Sequence, residues 1–441
     1  SGPDTGAAYV FARNGSAWSE QQKLAPSDGL FEDYFGASVA LDGDTIIVGA
    51  PDYECCSSTG NEGAAYVFER SGTTWIEQQR LVAGGLASNE WDQFGSSVAL
   101  SGSTMIVGAH RHGALDQGAA YVYVRSGSSW VEQQVLTEVG ETQFGFSVSA
   151  SGARVLIGAA SGRAYVFSFN GATWFREAAF ENLGTGFGTA VALAGDTALV
   201  GASYYSLPSA TWAGAAFVFA FDGTTWSDQG MLFAGDAEDN DHFGNSVAID
   251  GDLAVVGASK DDPGGLQWAG SAYAFARSGS TWTQQQKITA GDGTAGDQFG
   301  TSVAIRGLTF LSGAFDDNSV LTGSGSAYAF ALSPGTPSSY CTAGVSASGC
   351  QALLSSSGVA SASASSGFDL LATGVEGAKD GLYFFGTSGR QVNPWGNGTS
   401  YQCVVPPVKR AGLLQGTGTA GQCDGSFSQD LNAFWCPTCP K

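Results

Sequence analysis

The sequence predicts an all-β chain: a seven-bladed β-propeller with one blade incomplete, followed by a small disulfide-stapled, β-sandwich-like domain. Three observations carry this reading. A sixteen-residue block that opens with Phe-Gly and closes with Gly-Ala occurs six times, at residues 35–50, 94–109, 144–159, 187–202, 243–258 and 299–314. A second block, typified by GAAYVF and ending on Trp, interleaves with it at 6–18, 63–75, 118–130, 162–174, 214–226 and 270–282, with a partial copy from Gly325. Six of the eight cysteines lie beyond Tyr340. Internal repeats at this period indicate a radial or stacked array before any single residue indicates chemistry.

The first block reads as a β-hairpin. Val39 and Leu41 precede Asp42-Gly43, and a second apolar run follows; Asp-Gly supplies the positive φ that a tight hairpin turn needs. The second block is another hairpin, with alternating Tyr66 and Phe68, a turn at Ser71-Gly72 and a strand opened by Trp75. Four antiparallel strands per unit, repeated about every fifty residues, make a propeller blade. Both hairpins are fixed in length, whereas the connections between them vary, from long (50–63) to very short (159–162). In an up-and-down sheet all the variable loops then share one face of the disc, which is where function on a rigid scaffold tends to sit.

With these motifs on the page, residues 6–330 resemble the FG-GAP repeat of integrin-α-type seven-bladed propellers, in the version found in secreted bacterial proteins. Many blades of that family carry a DxDxDG calcium loop between their first two strands. Here the position is a two-residue turn (Asp42-Gly43, Asp250-Gly251, Arg306-Gly307), too short to wrap a cation, so those calcium sites do not carry over. The repeats give two strands, five complete units and three strands, or twenty-five. That is one too many for six blades and three too few for seven. Either upstream residues complete the ring or another molecule supplies strands, since open sheet edges recruit them.

Composition bounds the rest. The 441 residues carry 18 basic and 40 acidic side chains, a formal charge of −22, and only 13% are charged. Roughly half of the carboxylates fall in the variable loops, which disfavours nucleic acid and anionic membranes as partners. No apolar run is long enough to span a membrane. The chain shows no signal peptide and reads as processed or trimmed. The even cysteine count suits an oxidising compartment, hence a secreted, extracellular or cell-surface location.

A Pro/Ser linker, residues 333–340, separates the propeller (1–332) from a Cys-rich β domain (341–441). Cys341, Cys350, Cys403, Cys423, Cys436 and Cys439 are read as structural disulfides; Cys341–Cys350 and Cys403–Cys423 are attractive by proximity, but fifteen pairings exist. Cys436-x-x-Cys439 lacks a second CxxC or a His pair for zinc. Adjacent Cys55 and Cys56 read as a staple for a long loop.

Candidate sites are few. Asp236, Glu238, Asp239 and Asp241 offer enough oxygen for Ca2+, the one cofactor with a candidate loop, yet lack the Gly that turns a calcium loop and read first as a solvated acidic loop. Asp33, Asp92, Asp241 and Asp297 stand two residues before Phe-Gly and are expected to accept backbone N–H bonds. Asp261, Asp262, Asp316 and Asp317 follow Gly-Ala and are candidates to ring the channel mouth. Tyr204, Tyr205, Trp212 and Trp268 are loop aromatics suited to a sugar or a protein partner. Asn14 and Asn397 fit glycosylation sequons. His110, His112 and His242 have no nucleophile motif beside them, and no catalytic residue is assigned.

The sequence therefore favours a non-catalytic extracellular structural protein, its partner a further copy of itself in an oligomer or filament, or another extracellular protein or glycan. The alternative is an adhesion or ligand-binding propeller using the acidic loop face.

Overall fold

The computed structural model describes residues 6–332, apart from 16, 31, 55–61, 85–90, 114, 182–184 and 319–323, and only the strand backbones beyond 332. Two compact units result, Ser1–Leu332 and Ser333–Lys441. Neither has an α-helix among the described residues, and no helix is long and apolar enough to cross a membrane.

The first unit opens with a two-stranded antiparallel sheet, β1 (Ala8–Asn14) and β2 (Ala17–Leu24). Six propeller blades follow. Blade one is β3 (Ser38–Asp42), β4 (Thr45–Ala50), β5 (Ala64–Ser71) and β6 (Thr74–Leu81). Blade two is β7 (Phe94–Ser101), β8 (Thr104–Ala109), β9 (Ala119–Ser126) and β10 (Ser129–Leu136). Blade three is β11 (Phe144–Ser151), β12 (Arg154–Ala159), β13 (Arg163–Phe169) and β14 (Trp174–Glu181). Blade four is β15 (Phe187–Ala194), β16 (Thr197–Ala202), β17 (Ala215–Phe221) and β18 (Trp226–Leu232). Blade five is β19 (Phe243–Asp250), β20 (Leu253–Ala258), β21 (Ser271–Ser278) and β22 (Thr281–Ile288). Blade six has three strands, β23 (Phe299–Arg306), β24 (Thr309–Ala314) and β25 (Ser326–Ala331). Strands pair in chain order within every blade.

The turns differ from the sequence expectation by one residue. Asp42 pairs with Thr45, so the two-residue loop is Gly43-Asp44, with Gly43 alone at positive φ (60°). A lone glycine at the first central position is the type II′ choice. Asp42 is thereby freed from the turn. Its Oδ2 accepts the Gly102 N–H of the next blade at 2.7 Å, and Ser101, Ser151 and Asp250 repeat this stitch to Gly152, Gly195 and Gly307.

The two signature dipeptides are packing devices. Each Phe (Phe35, Phe94, Phe144, Phe187, Phe243, Phe299) is buried. A Cβ on the Gly of Gly-Ala would sit 1.9–2.1 Å from the Phe-Gly carbonyl of the next blade (Gly49 on Gly95, Gly108 on Gly145, Gly158 on Gly188, Gly201 on Gly244, Gly257 on Gly300). Only glycine lets the two backbones approach so closely. The core lies between blades: six apolar clusters each combine neighbouring sheets, from β1–β2 with blade one to blade five with blade six.

In the second unit, Leu353–Gly358, Phe368–Val375 and Gly425–Asp430 form a three-stranded sheet; Asp380–Gly386 pairs with Val408–Gln415, and Asn393–Trp395 with Ser400–Gln402. All eight cysteines, Cys55 and Cys56 included, and Asn397 fall outside the described residues.

Candidate functional site

On the variable-loop face four of the six blades repeat one arrangement, a tyrosine of the third strand donating to a loop carboxylate; blade four has Phe217 at that place. Tyr66 reaches Asp28 (2.9 Å), Tyr165 reaches Glu141 (2.7 Å), Tyr273 reaches Asp236 (3.0 Å), and Tyr328 reaches both Asp292 and Asp317 (2.9 Å each). In blade two His112 intervenes, its Nδ1 2.9 Å from Asp92. A fourth-strand cation joins in two blades: Arg80 meets Asp28, and Lys287 meets Asp236 and Asp261 at 2.7 Å each. Burial first, then the neighbouring carboxylates, raises the pKa of these tyrosines, so they remain donors.

The expected acidic sites resolve into separate locks. Asp236 is bound as above; Asp239 accepts the Thr211 N–H (2.6 Å) and Asp241 the Glu238 N–H (2.7 Å). Among the described residues no three acidic, His or Cys side chains gather as a metal site. Asp33 and Asp297 likewise accept N–H bonds, from Leu30 and Thr294. Asp261 and Asp317, candidates for the channel mouth, are buried, Asp261 against Tyr273 and Lys287 and Asp317 against Tyr328. Asp262 accepts the Trp268 N–H (2.6 Å) and Asp316 the Gln298 amide (2.6 Å). The spacing D-x4-D-x-F-G, seen at Asp28/Asp33, Asp236/Asp241 and Asp292/Asp297, was the signal for this network.

Trp212 and Trp268 are half-exposed and hold left-handed backbone (φ 52° and 55°), and Lys260 lies 5.1 Å from the Trp268 ring. Tyr204 packs on His242 (4.7 Å), while Tyr205 turns inward against Phe217. His110 contacts Ser96 Oγ, and burial followed by Arg111 brings its pKa down to about 4. The three histidines thus make separate contacts. Asn14 is exposed at the end of β1.

Asp241 gives a pH prediction. Burial, the largest influence, holds its carboxyl up at about 6. A raised folded pKa contributes stability that is present below the unfolded value of 3.8 and lost as pH rises through about 6. Asp241→Asn keeps an acceptor for Glu238 N–H and removes the buried charge. Thermal melts should show the variant more stable than wild type at pH 8, with the gap closing by pH 4; an equal gap at both would refute the assignment.

The second feature is the junction between blade six and β1–β2. Two contacts that join successive blades recur there. Arg125 of β9 donates to Thr45 of β4, and Arg277 of β21 to Thr197 of β16; likewise Arg13 of β1 donates to Thr309 of β24 (3.0 Å). Gln79 clamps the Trp130 backbone and Gln134 that of Trp174; likewise Gln22 of β2 clamps Trp75. Yet no apolar cluster joins blade six to β1–β2 among the described residues. Tyr9 and Phe11 of β1 are 52% and 50% exposed, against 0% and 3% for Tyr66 and Phe68. Val39 and Leu41 of β3 are 60% and 59% exposed, against 9% and 6% for Val191 and Leu193. Leu311 of β24 is 41% exposed, whereas Ile47 and Leu199 are fully buried. Exposed apolar side chains of this size are of the kind that marks an interaction site.

The FG-GAP repeat family matches residues 18–68, 75–123, 182–219, 226–275 and 282–330, more than half of the chain. No curated protein matches it. Among solved structures, a chain in the crystal structure of a mitotic checkpoint complex is similar at 13% identity and a TM-score of 0.46, over 69% of this chain and 81% of that one.

Proposed function

The chain belongs to the FG-GAP repeat family of β-propellers, and from that premise we propose a non-catalytic structural protein of the cell exterior that assembles through an unfinished blade. In this reading the ring has seven positions, with β1–β2 as the outer half of the seventh blade. The recurring Arg13–Thr309 and Gln22–Trp75 contacts support that count. The observation that supports the function is the exposure of Tyr9, Phe11, Val39, Leu41 and Leu311, apolar side chains whose burial against added strands would be favourable. The C-terminal unit, stapled by its cysteines, is the attachment module, and an oxidising exterior suits both.

Light scattering with negative-stain microscopy of native material tests this. Regular oligomers or filaments are expected; a discrete particle of 45.0 kDa would overturn assembly.

A second reading, adhesion to a glycan or protein, draws on one observation. Trp212 and Trp268 are half-exposed on adjacent blades in a backbone region that costs free energy.

A further inference from the structure

We infer that Trp212 and Trp268 are the two stacking platforms of a binding site for a neutral glycan chain laid across the loops of blades four and five. This deepens the adhesion reading above and rests on it.

The backbone does not call for an indole at either place. Trp212 and Trp268 each stand two residues before the Gly of a GAAYVF-type block, in the loops 203–214 and 259–270. Each carbonyl accepts an N–H from the residue just before the next Phe-Gly, Trp212 from His242 at 3.4 Å and Trp268 from Gln298 at 3.0 Å. Blade two does the same with Asp116, which accepts from Gln143 at 2.6 Å. All three hold left-handed backbone, with φ of 52°, 55° and 52° for Trp212, Trp268 and Asp116. Aspartate suits that region, whereas a bulky side chain is an outlier in it and costs free energy. Blades four and five carry the cost twice and leave both indoles half-exposed.

The indoles are also fixed in place. The Trp212 N–H donates to Ser206 Oγ (3.1 Å) and the Trp268 N–H to Asp262 Oδ1 (2.6 Å), so both turns are clamped on either side. Rigid aromatic anchors bind a ligand with little ordering cost.

One continuous stretch of surface joins them. His242, bonded to the Trp212 carbonyl, packs its ring on Tyr204 at 4.7 Å. The Lys260 N–H donates to the carbonyl of Asp241, beside His242, and Lys260 Nζ lies 5.1 Å from the Trp268 ring. Between the platforms therefore stand a phenol, an imidazole and an ammonium. Burial first, then Lys260, lowers the His242 pKa, so near pH 7 the neutral ring both donates and accepts. A sugar ring has the matching division, a C–H face for an indole and a rim of hydroxyls for the polar groups. Charge selects a neutral one. Asp239 accepts the Thr211 N–H next to Trp212, Asp262 holds Trp268, and carboxylates so placed on a chain of formal charge −22 repel a polyanion. Two platforms on adjacent blades call for a chain rather than a single sugar.

Affinity electrophoresis of the full chain through native gels holding a β-glucan, a xylan, a galactomannan or polygalacturonate tests this. At least one neutral polymer should retard the protein, and polygalacturonate should not. Trp212→Asn and Trp268→Asn keep a residue that accepts left-handed backbone, and each should weaken that binding about tenfold. A hexasaccharide of the retarding polymer should compete at least about tenfold better than the monosaccharide, and either substitution should remove that advantage. In the wild-type chain the same hexasaccharide should protect Trp212 and Trp268 from oxidation by N-bromosuccinimide but leave the half-exposed Trp91 reactive. Retardation by no neutral polymer overturns the inference. So does retardation by polygalacturonate alone, binding that survives both substitutions, or oxidation unaffected by the saccharide. A chain that binds none of these polymers, yet loses attachment to cells on Trp212→Asn, would overturn this inference while sustaining adhesion to a protein, so the two fail separately.

Discussion

Gly108→Ala is expected to cost about 3 kcal/mol or more, while Gly313→Ala at the equivalent place in blade six should cost under about 1 kcal/mol. Neither glycine has a positive φ, so the difference is one of space alone. A methyl added at Gly108 would stand 2.1 Å from the Gly145 carbonyl oxygen, with the carbonyl carbon at 3.2 Å. Those are backbone atoms in the first strand of the next blade, and moving them displaces the buried Phe144 beside them. A close-packed interior transmits that strain rather than absorbing it. At Gly313 the nearest atom is Ser302 Oγ, at 2.5 Å, which a rotation about χ1 moves away. Urea unfolding followed by circular dichroism would compare the two midpoints. Equal losses would mean that Gly313 faces backbone in solution and that the seventh position is already filled.

What the sequence made legible was whatever repeats with the blade. The Phe-Gly and Gly-Ala blocks located the hairpins because each marks a close approach that every junction must make, and the strand arithmetic of two, twenty and three matches the propeller strands observed. The turn frame slipped by one residue, since Asp-Gly is an equally good signal for a type I′ loop. Only the pairing of Asp42 with Thr45 shows that the aspartate serves the neighbouring blade. Asp261 and Asp317 read in sequence as candidates to ring the channel mouth, and their burial was not visible there. Their burial depends on Tyr273 and Lys287 in one case and on Tyr328 in the other, partners on later strands that no local pattern ties to them. The exposed Leu311 was invisible for the same reason. In sequence it is one more apolar residue in a second strand, and what sets it apart is the neighbour it lacks.

Glu141→Ala is the second large effect, about 3 kcal/mol of destabilisation. The carboxylate is buried and takes bonds from Ser161, from Arg163 at 2.6 Å and from Tyr165 at 2.7 Å. Truncation leaves the Tyr165 hydroxyl, in a buried residue, without its acceptor, and Arg163 with only the exposed Glu181. That lost satisfaction, more than the ion pair itself, sets the cost. Burial pushes the Glu141 pKa up, but the hydrogen bonds from Ser161, Tyr165 and Arg163 outweigh it and hold the carboxyl below its ordinary 4.5. A lowered folded pKa contributes stability present above the unfolded value and lost as pH falls through the folded one. The gap between wild type and Glu141→Ala should therefore be full at pH 7 and shrink below about pH 4. Asp241 runs the opposite way, since burial, its largest influence, outweighs the attraction of Lys287 and the carboxyl gains by protonation. Melting both variants across pH 3 to 8 would separate a satisfied buried carboxylate from a strained one on the same face. If Glu141→Ala were, like Asp241→Asn, more stable than wild type at pH 8, the lock at Glu141 would be no different in kind from the turn at Asp241.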